Sequence, residues 1–251
     1  MNYGKDGYYS TYFPGDSGNS SYITGDANAG FSPGSVDFCV EMWIKCPPLG
    51  TGVDGNKYHT LWQLDWNSGT TSSNLAIQLQ FNGGSGMNVR AGNGSWDTGI
   101  GYTDPVDDRQ WHHIALVRSF NTSPAYMRIY VDGVQSINST GSIATADFSP
   151  SGGCRFRWGS WDTSNGRYKG YISNFRYTYG TVVYSGPFTP PTAPLTGGTL
   201  RCLQGAKPYL NSIPRDQSWR MTINSDYTVN TPSLLGEDID CTDGGMIWIK
   251  K

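Results

Sequence analysis

The sequence predicts an all-β protein built as an antiparallel β-sandwich, and three observations lead to this prediction. Apolar residues recur with a period of two, and no convincing stretch shows the 3.6-residue period of a helix. Clusters of Gly, Asn, Ser and Asp separate the alternating segments, as turns separate short strands. Aromatic residues make up 14% of the chain and supply apolar surface to bury. Because a half-buried sheet must cover its apolar face, two packed sheets are expected.

The individual strands follow from the alternation. Residues 38–45 alternate most clearly, with apolar positions on one face and Glu41 and Lys45 on the other. Asp132 and Gly133 follow the alternating residues 127–131 and form the pair that a tight hairpin prefers. Residues 111–117 are apolar on both faces, as in a central strand. Further short strands are expected at residues 60–66, 75–81, 87–91, 154–158, 171–177, 200–203, 219–223 and 246–249.

Proline marks a change in composition after residue 185. Residues 186–194 cannot form a central strand because proline removes the donors of a β-ladder, so an extended strap is predicted there. We assign residues 1–204 to the sandwich domain and place the strap at residues 186–196. Residues 205–251 form a short C-terminal β-rich extension, near the size at which a core needs a neighbour, and are expected to pack on the sandwich or on a partner.

Composition excludes several classes of function. Charged residues make up 15% of the chain, against about 25% in an average protein, and the net charge is −2. The 18 basic residues are scattered, which argues against a nucleic-acid partner. No apolar run approaches the roughly 18 residues that cross a bilayer, and the first residues begin no signal segment, so neither a membrane partner nor signal-dependent export is expected. Five cysteines without C-x-x-C spacing indicate neither a disulfide framework nor a zinc site.

Several segments, in order, resemble the laminin-G-like branch of the concanavalin A-like lectin/glucanase superfamily. The resemblance covers roughly residues 8–204 and implies a jelly-roll sandwich. It rests on YFPGD at residues 12–16 followed by SYI at 21–23, FCVEMWI at 38–44, WHHIALVR at 111–118, IYVDG at 129–133 and GYISNFR at 170–176.

Further segments resemble structural proteins of tailed bacteriophages, especially marine ones. They are FTPPTAPL at residues 188–195 with LRCLQ at 200–204, and GGMIWIK at 244–250. This resemblance implies a non-enzymatic virion structural protein that decorates the capsid or forms part of a tail or fibre. The protein would assemble in the host cytoplasm, lie on the particle surface, and contact other virion proteins or further copies of itself. The alternative is a glycan-binding adhesion or receptor-binding module.

Catalytic patterns are weak in this sequence. A glycosidase needs two carboxyl groups roughly 5 to 9.5 Å apart, whereas Glu41 and Glu237 are the only glutamates and the Glu-x-Asp-x-x-Glu strand of sandwich glucanases is absent. His112 and His113 are neighbours on one strand, so their side chains point to opposite faces and cannot converge on one substrate. We therefore predict no catalytic residues and no enzyme activity.

Two similar five-residue segments, which we call the echo segments, give the candidate glycan site. Gly94-Ser95-Trp96-Asp97-Thr98 and Gly159-Ser160-Trp161-Asp162-Thr163 share a tryptophan followed by a carboxylate. Tryptophan stacks on a sugar ring while aspartate accepts hydroxyl hydrogen bonds, which suits sugar recognition. The candidate residues are Trp96, Asp97, Trp161, Asp162 and Asn165. The alternative is that both tryptophans only plug the rim of the sandwich.

Two further hypotheses concern metal binding and docking. No Asp-x-Asp-x-Asp loop is present, so no cofactor or metal site is predicted. The alternative is a calcium ion held by aspartates from different loops.

Residues 246–249 form a β-prone segment that can add to an exposed sheet edge. Subunit docking is assigned to Met246, Ile247, Trp248 and Ile249. The alternative is that this segment completes its own sandwich.

Overall fold

A computed structural model describes most of the predicted sandwich and short parts of the C-terminal extension. The described residues are 10–13, 15, 22–25, 31–49, 58–66, 75–82, 86–91, 97–102, 106–139, 142–148, 153–161, 166–193, 195, 197–202, 221–223, 228–230, 239–240 and 248–249. No helix among them is long and apolar enough to cross a membrane.

Strands dominate these residues, and the helix α1 (Ser142–Thr145) has a single turn. The strands are β1 (Ser10–Phe13), β2 (Ile23–Gly25), β3 (Phe38–Lys45), β4 (Tyr58–Trp66), β5 (Leu75–Asn82), β6 (Met87–Ala91), β7 (Asp97–Tyr102), β8 (His112–Ser119), β9 (Tyr126–Val131), β10 (Val134–Ser139), β11 (Cys154–Trp158), β12 (Gly170–Tyr179), β13 (Leu200–Cys202), β14 (Met221–Ile223), β15 (Thr228–Asn230), β16 (Ile239–Asp240) and β17 (Trp248–Ile249).

Two antiparallel sheets form the sandwich, which confirms the predicted fold class. Sheet 1 has the order β10-β9-β8-β3-β12-β1-β15, with β13 also paired to β12. Sheet 2 has the order β14-β2-β11-β4-β5-β6-β7. Through β14 and β15, the C-terminal extension therefore adds a strand at the edge of each sheet. The remaining strands, β16 and β17, pair with each other in a separate two-stranded sheet.

The core lies between the inner faces of the two sheets. Phe156 of sheet 2 contacts Phe175 and Tyr177 of sheet 1 at ring-centroid distances of 5.3 and 5.1 Å. Trp158 meets Phe175 edge to face at 5.1 Å, in an orientation that aromatic pairs favour. These contacts join the alternating apolar residues of both sheets into one buried cluster.

A buried arginine occupies one end of this core. Arg118 of β8 donates hydrogen bonds to the carbonyl oxygens of Ala144 and Gly34, both at 3.0 Å, and also to Ala146 O. Its guanidinium lies 4.8 Å from the ring centre of Phe120. Burial lowers its pKa to about 10, so the group stays charged at neutral pH. These bonds tie β8 to α1 and to the segment before β3.

The outer face of sheet 1 is covered by the chain itself. Val182, Val183, Tyr184 and Phe188 pack against a second apolar cluster made of Cys39, Ala115, Val117 and Tyr130. We call residues 182–188 the cover segment, which shares residues 186–188 with the strap. The described part of the strap, residues 186–193 and 195, forms no strand.

The predicted hairpin after β9 is also confirmed, and it fixes the end of the cover segment. Asp132 and Gly133 have φ values of 49° and 79°. Phe188 N donates a hydrogen bond to Gly133 O at 3.0 Å. A Cβ atom on Gly133 would lie 1.7 Å from Phe188 O, so only glycine allows the cover segment to approach this turn.

Some strands were missed by the sequence analysis. β7 carries Gly99 and Gly101, which are unfavourable in strands, and it begins at Asp97 inside the first echo segment. The first echo segment, residues 94–98, therefore overlaps the start of a strand. β1, β2, β15 and β16 were also not predicted, since two to four residues are too few to establish alternation.

Candidate functional site

The outer face of sheet 2 carries a row of polar side chains across four neighbouring strands. Arg157 of β11 pairs with Gln63 of β4, Gln63 pairs with Gln78 of β5, and Gln78 pairs with Arg90 of β6. Neighbouring strands lie about 4.8 Å apart, so the row spans roughly 14 Å between its terminal Cα atoms. We call these four residues the Arg–Gln row. The residues that alternate with them, such as Phe156 and Leu64, enter the core.

Asp65 follows Gln63 on the same face of β4 and accepts hydrogen bonds from Arg157 and Gln63. Arg157 Nε donates to Asp65 Oδ2 at 3.1 Å, and Arg155 Nε lies 4.0 Å from the same oxygen. Gln63 Nε2 donates to Asp65 Oδ1 at 2.6 Å. Burial raises the pKa of Asp65 to about 6, although the charge of Arg157 opposes this shift. The face therefore holds its carboxylate at an electrostatic cost that the nearby cations do not fully offset.

Several polar side chains of the Arg–Gln row and beside it have only part of their hydrogen-bonding groups paired. Gln78 Nε2 donates to Thr60 Oγ1 at 2.6 Å and to Gln80 Oε1 at 2.8 Å. Within the described part of the chain, Gln80 Nε2, Asn88 Oδ1 and Arg157 Nη1 are buried without a hydrogen-bond partner. Buried polar atoms in native proteins normally have a partner, so these three atoms have hydrogen-bonding capacity that the described chain does not use.

Aromatic rings flank both ends of the Arg–Gln row. The Arg157 guanidinium lies 4.7 Å from the ring centre of Tyr22. At the other end, the Arg90 guanidinium lies 5.4 Å from the Tyr58 ring and 5.6 Å from the Trp161 ring. Tyr58 and Trp161 are 5.8 Å apart and half-buried, which leaves part of their surface open to solvent. Each end of the row thus combines a guanidinium with an aromatic face.

The turn back from β11 fixes the position of Trp161. Thr60 N donates to Gly166 O at 2.8 Å, which ties the returning chain to the start of β4. Gly166 has a φ of +68°, and a Cβ there would lie 3.1 Å from the Trp161 ring. Gly166 therefore lets the indole lie close to the returning backbone. The ring also contacts Tyr58 and Arg90, and the Trp161 carbonyl oxygen accepts a hydrogen bond from Gln63 Nε2 at 2.5 Å.

The structure relates two of the five predicted glycan-site residues to the same sheet. Trp161 contacts Arg90, and Asp97 pairs through its backbone with Ala91, the next residue of β6. Trp96, Asp162 and Asn165 lie outside the described residues. The proposed role of these five residues stays a prediction.

The sequence analysis did not include Tyr22, Tyr58 or the Arg–Gln row among the candidate residues. The signal was present, because Gln78 and Gln80, and likewise Arg155 and Arg157, alternate with apolar residues. Polar residues at every second position of a strand indicate one polar face. Their assembly into a single row depends on strand order, which alternation does not reveal.

Glu41, weighed above as a glycosidase carboxylate, lies on the covered outer face of sheet 1. Its Oε1 accepts hydrogen bonds from Arg176, with Nε at 2.8 Å. Its Oε2 accepts from His113 Nε2 at 3.1 Å and from the Tyr184 hydroxyl at 2.7 Å. Burial alone raises the pKa of Glu41, but the bond from His113 and the charge of Arg176 outweigh it, so the pKa is lowered. Both oxygens are thus committed to structural partners, while Glu237 lies outside the described residues.

The two neighbouring histidines have separate environments. His113 is buried between the rings of Trp43 and Phe188, at 5.3 and 5.6 Å. His112 is bound by Asp132 at 2.7 Å and Asp108 at 3.0 Å. Desolvation lowers the pKa of His112, but the two aspartates outweigh this effect and raise it. In the described ranges, no group of three or more His, Cys, Asp or Glu side chains is arranged to hold a metal ion.

The candidate docking segment is described only in part. Trp248 and Ile249 form β17, which pairs with β16 through Asp240 and Ile239. Met246 and Ile247 lie outside the described residues. A docking role for this segment stays a prediction.

Comparison with solved structures shows the same fold in distant proteins. A carbohydrate-binding module, CBM40 of the Ruminococcus gnavus IT-sialidase bound to α2,3 sialyllactose, is 13% identical over 72% of this chain and 95% of its own, with a TM-score of 0.52. The heptameric SAP-like pentraxin of Limulus polyphemus is 13% identical over 69% of this chain and 77% of its own, with a TM-score of 0.50. The extracellular region of zebrafish Gpr126/Adgrg6 is 15% identical over 88% of this chain and 26% of its own, with a TM-score of 0.57.

Sequence comparison identifies the family. No curated protein matches the chain. The family model Laminin_G_3, described as the concanavalin A-like lectin/glucanases superfamily, matches residues 16–185. This match covers more than half of the chain and confirms the laminin-G-like resemblance. The chain therefore belongs to the Laminin_G_3 family of the concanavalin A-like lectin/glucanases superfamily.

Proposed function

We propose that this chain is a non-catalytic carbohydrate-binding module that binds glycans on the outer face of sheet 2. The observation that carries the proposal is the half-buried Trp161, whose ring lies beside Tyr58 and Arg90 at one end of the Arg–Gln row. An indole face stacks on the apolar side of a sugar, and nearby amide and guanidinium groups bind its hydroxyls.

The unpartnered atoms of this face suit a polyhydroxylated ligand. Gln80 Nε2 is a donor and Asn88 Oδ1 is an acceptor, and a hydroxyl group can satisfy either. The CBM40 module that shares this fold binds an oligosaccharide, which supports the same ligand class here.

The absence of catalysis in this proposal rests on the placement of the carboxylates. Glycoside hydrolysis needs two carboxyl groups that flank one bond. Glu41 lies on sheet 1 with both oxygens bound, and Asp65 lies on sheet 2 beside two arginines. These two side chains are on opposite outer faces and cannot act on one glycosidic bond.

A glycan array with two matched tryptophan variants tests the proposal. Trp161→Ala should weaken binding about tenfold, the loss expected when a stacking contact worth about 1.4 kcal/mol is removed. Trp111→Ala is the control, since Trp111 is also half-buried but contacts Tyr171 of sheet 1. Thermal unfolding of each variant checks the fold. Failure of the wild-type protein to bind any glycan, or equal loss in both variants, would contradict the proposal.

We propose, as a second candidate, that the chain acts on the surface of a tailed-phage virion. The resemblance of residues 188–195 and 244–250 to phage structural proteins favours this setting. Other virion proteins would then be its partners, with Met246, Ile247, Trp248 and Ile249 as the docking segment. A glycan-binding face is compatible with this setting, because a particle can use it for adhesion.

Electron microscopy and mass spectrometry of particles from the source test the virion proposal. Hundreds of copies on the shell would establish capsid decoration, and a few copies at the tail would support a receptor-binding role. Deletion of residues 244–251 should abolish incorporation without unfolding the sandwich. Particles that lack this chain would refute the virion role and leave glycan binding to be judged by the array.

A further inference from the structure

We propose that the glycan bound on sheet 2 carries an anionic group, a carboxylate or a sulfate, and that Arg155 and Arg157 bind this group. The inference rests on the proposed function and specifies the ligand class of the same site. It is carried by the charge of the face, by an unpartnered donor on Arg157, and by the aromatic rings at the ends of the Arg–Gln row.

The described side chains of this face include more cations than anions. Among the side chains that the structure describes there, Arg90, Arg155 and Arg157 are cations and Asp65 is an anion. Asp65 lies near both arginines of β11 through the same oxygen, Oδ2. Two guanidinium groups thus lie close together at this end of the row, and their positive potential would attract an anion.

An unpartnered donor marks where the anion would bind. Arg157 uses Nε for Asp65, while its buried Nη1 has no hydrogen-bond partner. Guanidinium groups present several donors in a planar fork and bind carboxylate or sulfate oxygens with two parallel bonds. Arg155, two residues earlier on the same face, has a side chain that is 22% exposed. An incoming anion can therefore reach Arg155 from solvent and extend towards Arg157.

The rest of the face complements the remainder of an acidic sugar. Gln80 and Asn88 lie on β5 and β6, on the side of the row away from Asp65, where their unpartnered atoms can bind hydroxyls. Tyr22 lies beside Arg157 at one end of the row, and Tyr58 and Trp161 lie beside Arg90 at the other. An acidic oligosaccharide would thus place its anion against β11 and stack a ring near Trp161.

Three oligosaccharides that share one neutral scaffold provide the test. Binding of lactose, α2,3-sialyllactose and 3′-sulfated lactose to the intact chain is measured by calorimetry, beside an array of neutral and acidic glycans. We expect an anionic form to bind at least tenfold more tightly than lactose. The difference should shrink at high salt, because screening weakens accessible charge pairs. The sialylated and sulfated arms show which anionic group is preferred.

Arginine variants connect this preference to the site. Arg155→Gln should reduce affinity for the anionic glycan at least fivefold and lower the ratio of anionic to neutral affinity. Arg128→Gln is the control, because Arg128 is a half-buried arginine on sheet 1 that contacts Tyr126 and Ser185. Arg157→Lys, which keeps the charge but removes the guanidinium fork, is a second variant; Arg155→Gln gives the result if the lysine variant does not fold.

The outcomes separate this inference from the proposed function. Trp161-dependent binding with no preference for anionic over neutral glycans would overturn the anionic ligand and leave glycan binding intact. A preference that survives Arg155→Gln would also overturn the inference. Failure to bind any glycan on the array would refute both proposals.

Discussion

Glu41 on sheet 1 and Asp65 on sheet 2 are both buried carboxylates on faces that point away from the core, yet their pKa values shift in opposite directions. For each, burial is the largest effect and raises the pKa. For Glu41, bonds and charge from His113, Arg176 and Tyr184 reverse this effect and lower the pKa. For Asp65, the arginines do not reverse it, and the pKa rises to about 6.

This difference separates a structural face from a candidate binding face. On sheet 1, the cover segment supplies the Tyr184 hydroxyl and two aromatic rings, and both Glu41 oxygens are satisfied. On sheet 2, Asp65 lies beside polar groups that the described chain leaves partly unsatisfied. The covered face also holds one unpartnered buried atom, His113 Nδ1, so the two faces differ in how many buried polar atoms the described chain leaves without a partner, and not in whether it leaves any.

The largest effect is expected when the two carboxylates are neutralised one at a time. Glu41→Gln should lower the free energy of unfolding by about 4 kcal/mol, because it removes the buried carboxylate that accepts bonds from Arg176, His113 and the Tyr184 hydroxyl. Asp65→Asn should cost less than Glu41→Gln, because burial already disfavours the ionised carboxylate there, although the change removes the counter-charge of the buried Arg157. Denaturant unfolding at neutral pH measures both values. Equal losses would show that the two faces do not differ as described.

The second expected effect concerns the attachment of the cover segment to sheet 1. Gly133→Ala should destabilise the protein by about 3 kcal/mol, because the new methyl group clashes with Phe188 O as well as straining a positive φ. Gly180→Ala is the matched control, since Gly180 has a φ of +75° but no atom within 4 Å of an added Cβ. It should cost about 1 kcal/mol.

Limited proteolysis of these two glycine variants distinguishes release of the cover segment from general destabilisation. Cleavage near residues 182–188 should increase in Gly133→Ala and stay at the wild-type level in Gly180→Ala. Similar cleavage in both variants would indicate that backbone strain alone accounts for the loss.

The pH dependence of stability should show the smallest effect, with opposite signs for the two carboxylates. The folded pKa of Asp65 is about 6 against an ordinary 3.8, so the unfolded chain releases this proton first as pH rises. The Asp65 contribution therefore falls by on the order of 2 kcal/mol between about pH 4 and pH 6. The folded pKa of Glu41 is lowered from 4.5, so its contribution is present above 4.5 and is lost as pH falls through the folded value.

Unfolding of the wild-type protein and both carboxylate variants across pH 3–8 checks these signs. Relative to wild type, Asp65→Asn should gain stability as pH rises from about 4 to 6. The deficit of Glu41→Gln should shrink below about pH 4.5. A reversed pH dependence for either variant would contradict the direction of the pKa shift described for that carboxylate.

Most of the sandwich could be predicted because its strands alternate cleanly. The bounds of β3, β6 and β11 match the sequence analysis, and the hairpin at Asp132 and Gly133 was identified from its turn residues. β7 was missed because its two glycines hide the pattern. The family resemblance implied a jelly-roll sandwich, but no strand order was predicted, since pairing depends on contacts between residues far apart in sequence.

The candidate site was predictable in chemistry but not in extent. Trp161 was selected from a repeated tryptophan and carboxylate, and it lies at the end of the Arg–Gln row. The row itself joins residues 63, 78, 90 and 157, which no local pattern connects. The network around Glu41 likewise brings together residues up to 143 positions apart, so a sequence window cannot reveal it.

The position of Cys39 beneath the cover segment provides a native thiol reporter. Cys39 packs in the outer cluster that Tyr184 and Phe188 cover, whereas Cys46 and Cys154 lie in the core between the sheets. Burial raises the pKa of Cys39 well above its ordinary value, so the thiol stays protonated and slow to react while covered. A thiol reagent would thus modify Cys39 when the cover segment lifts, and Cys46 and Cys154 only when the two sheets separate.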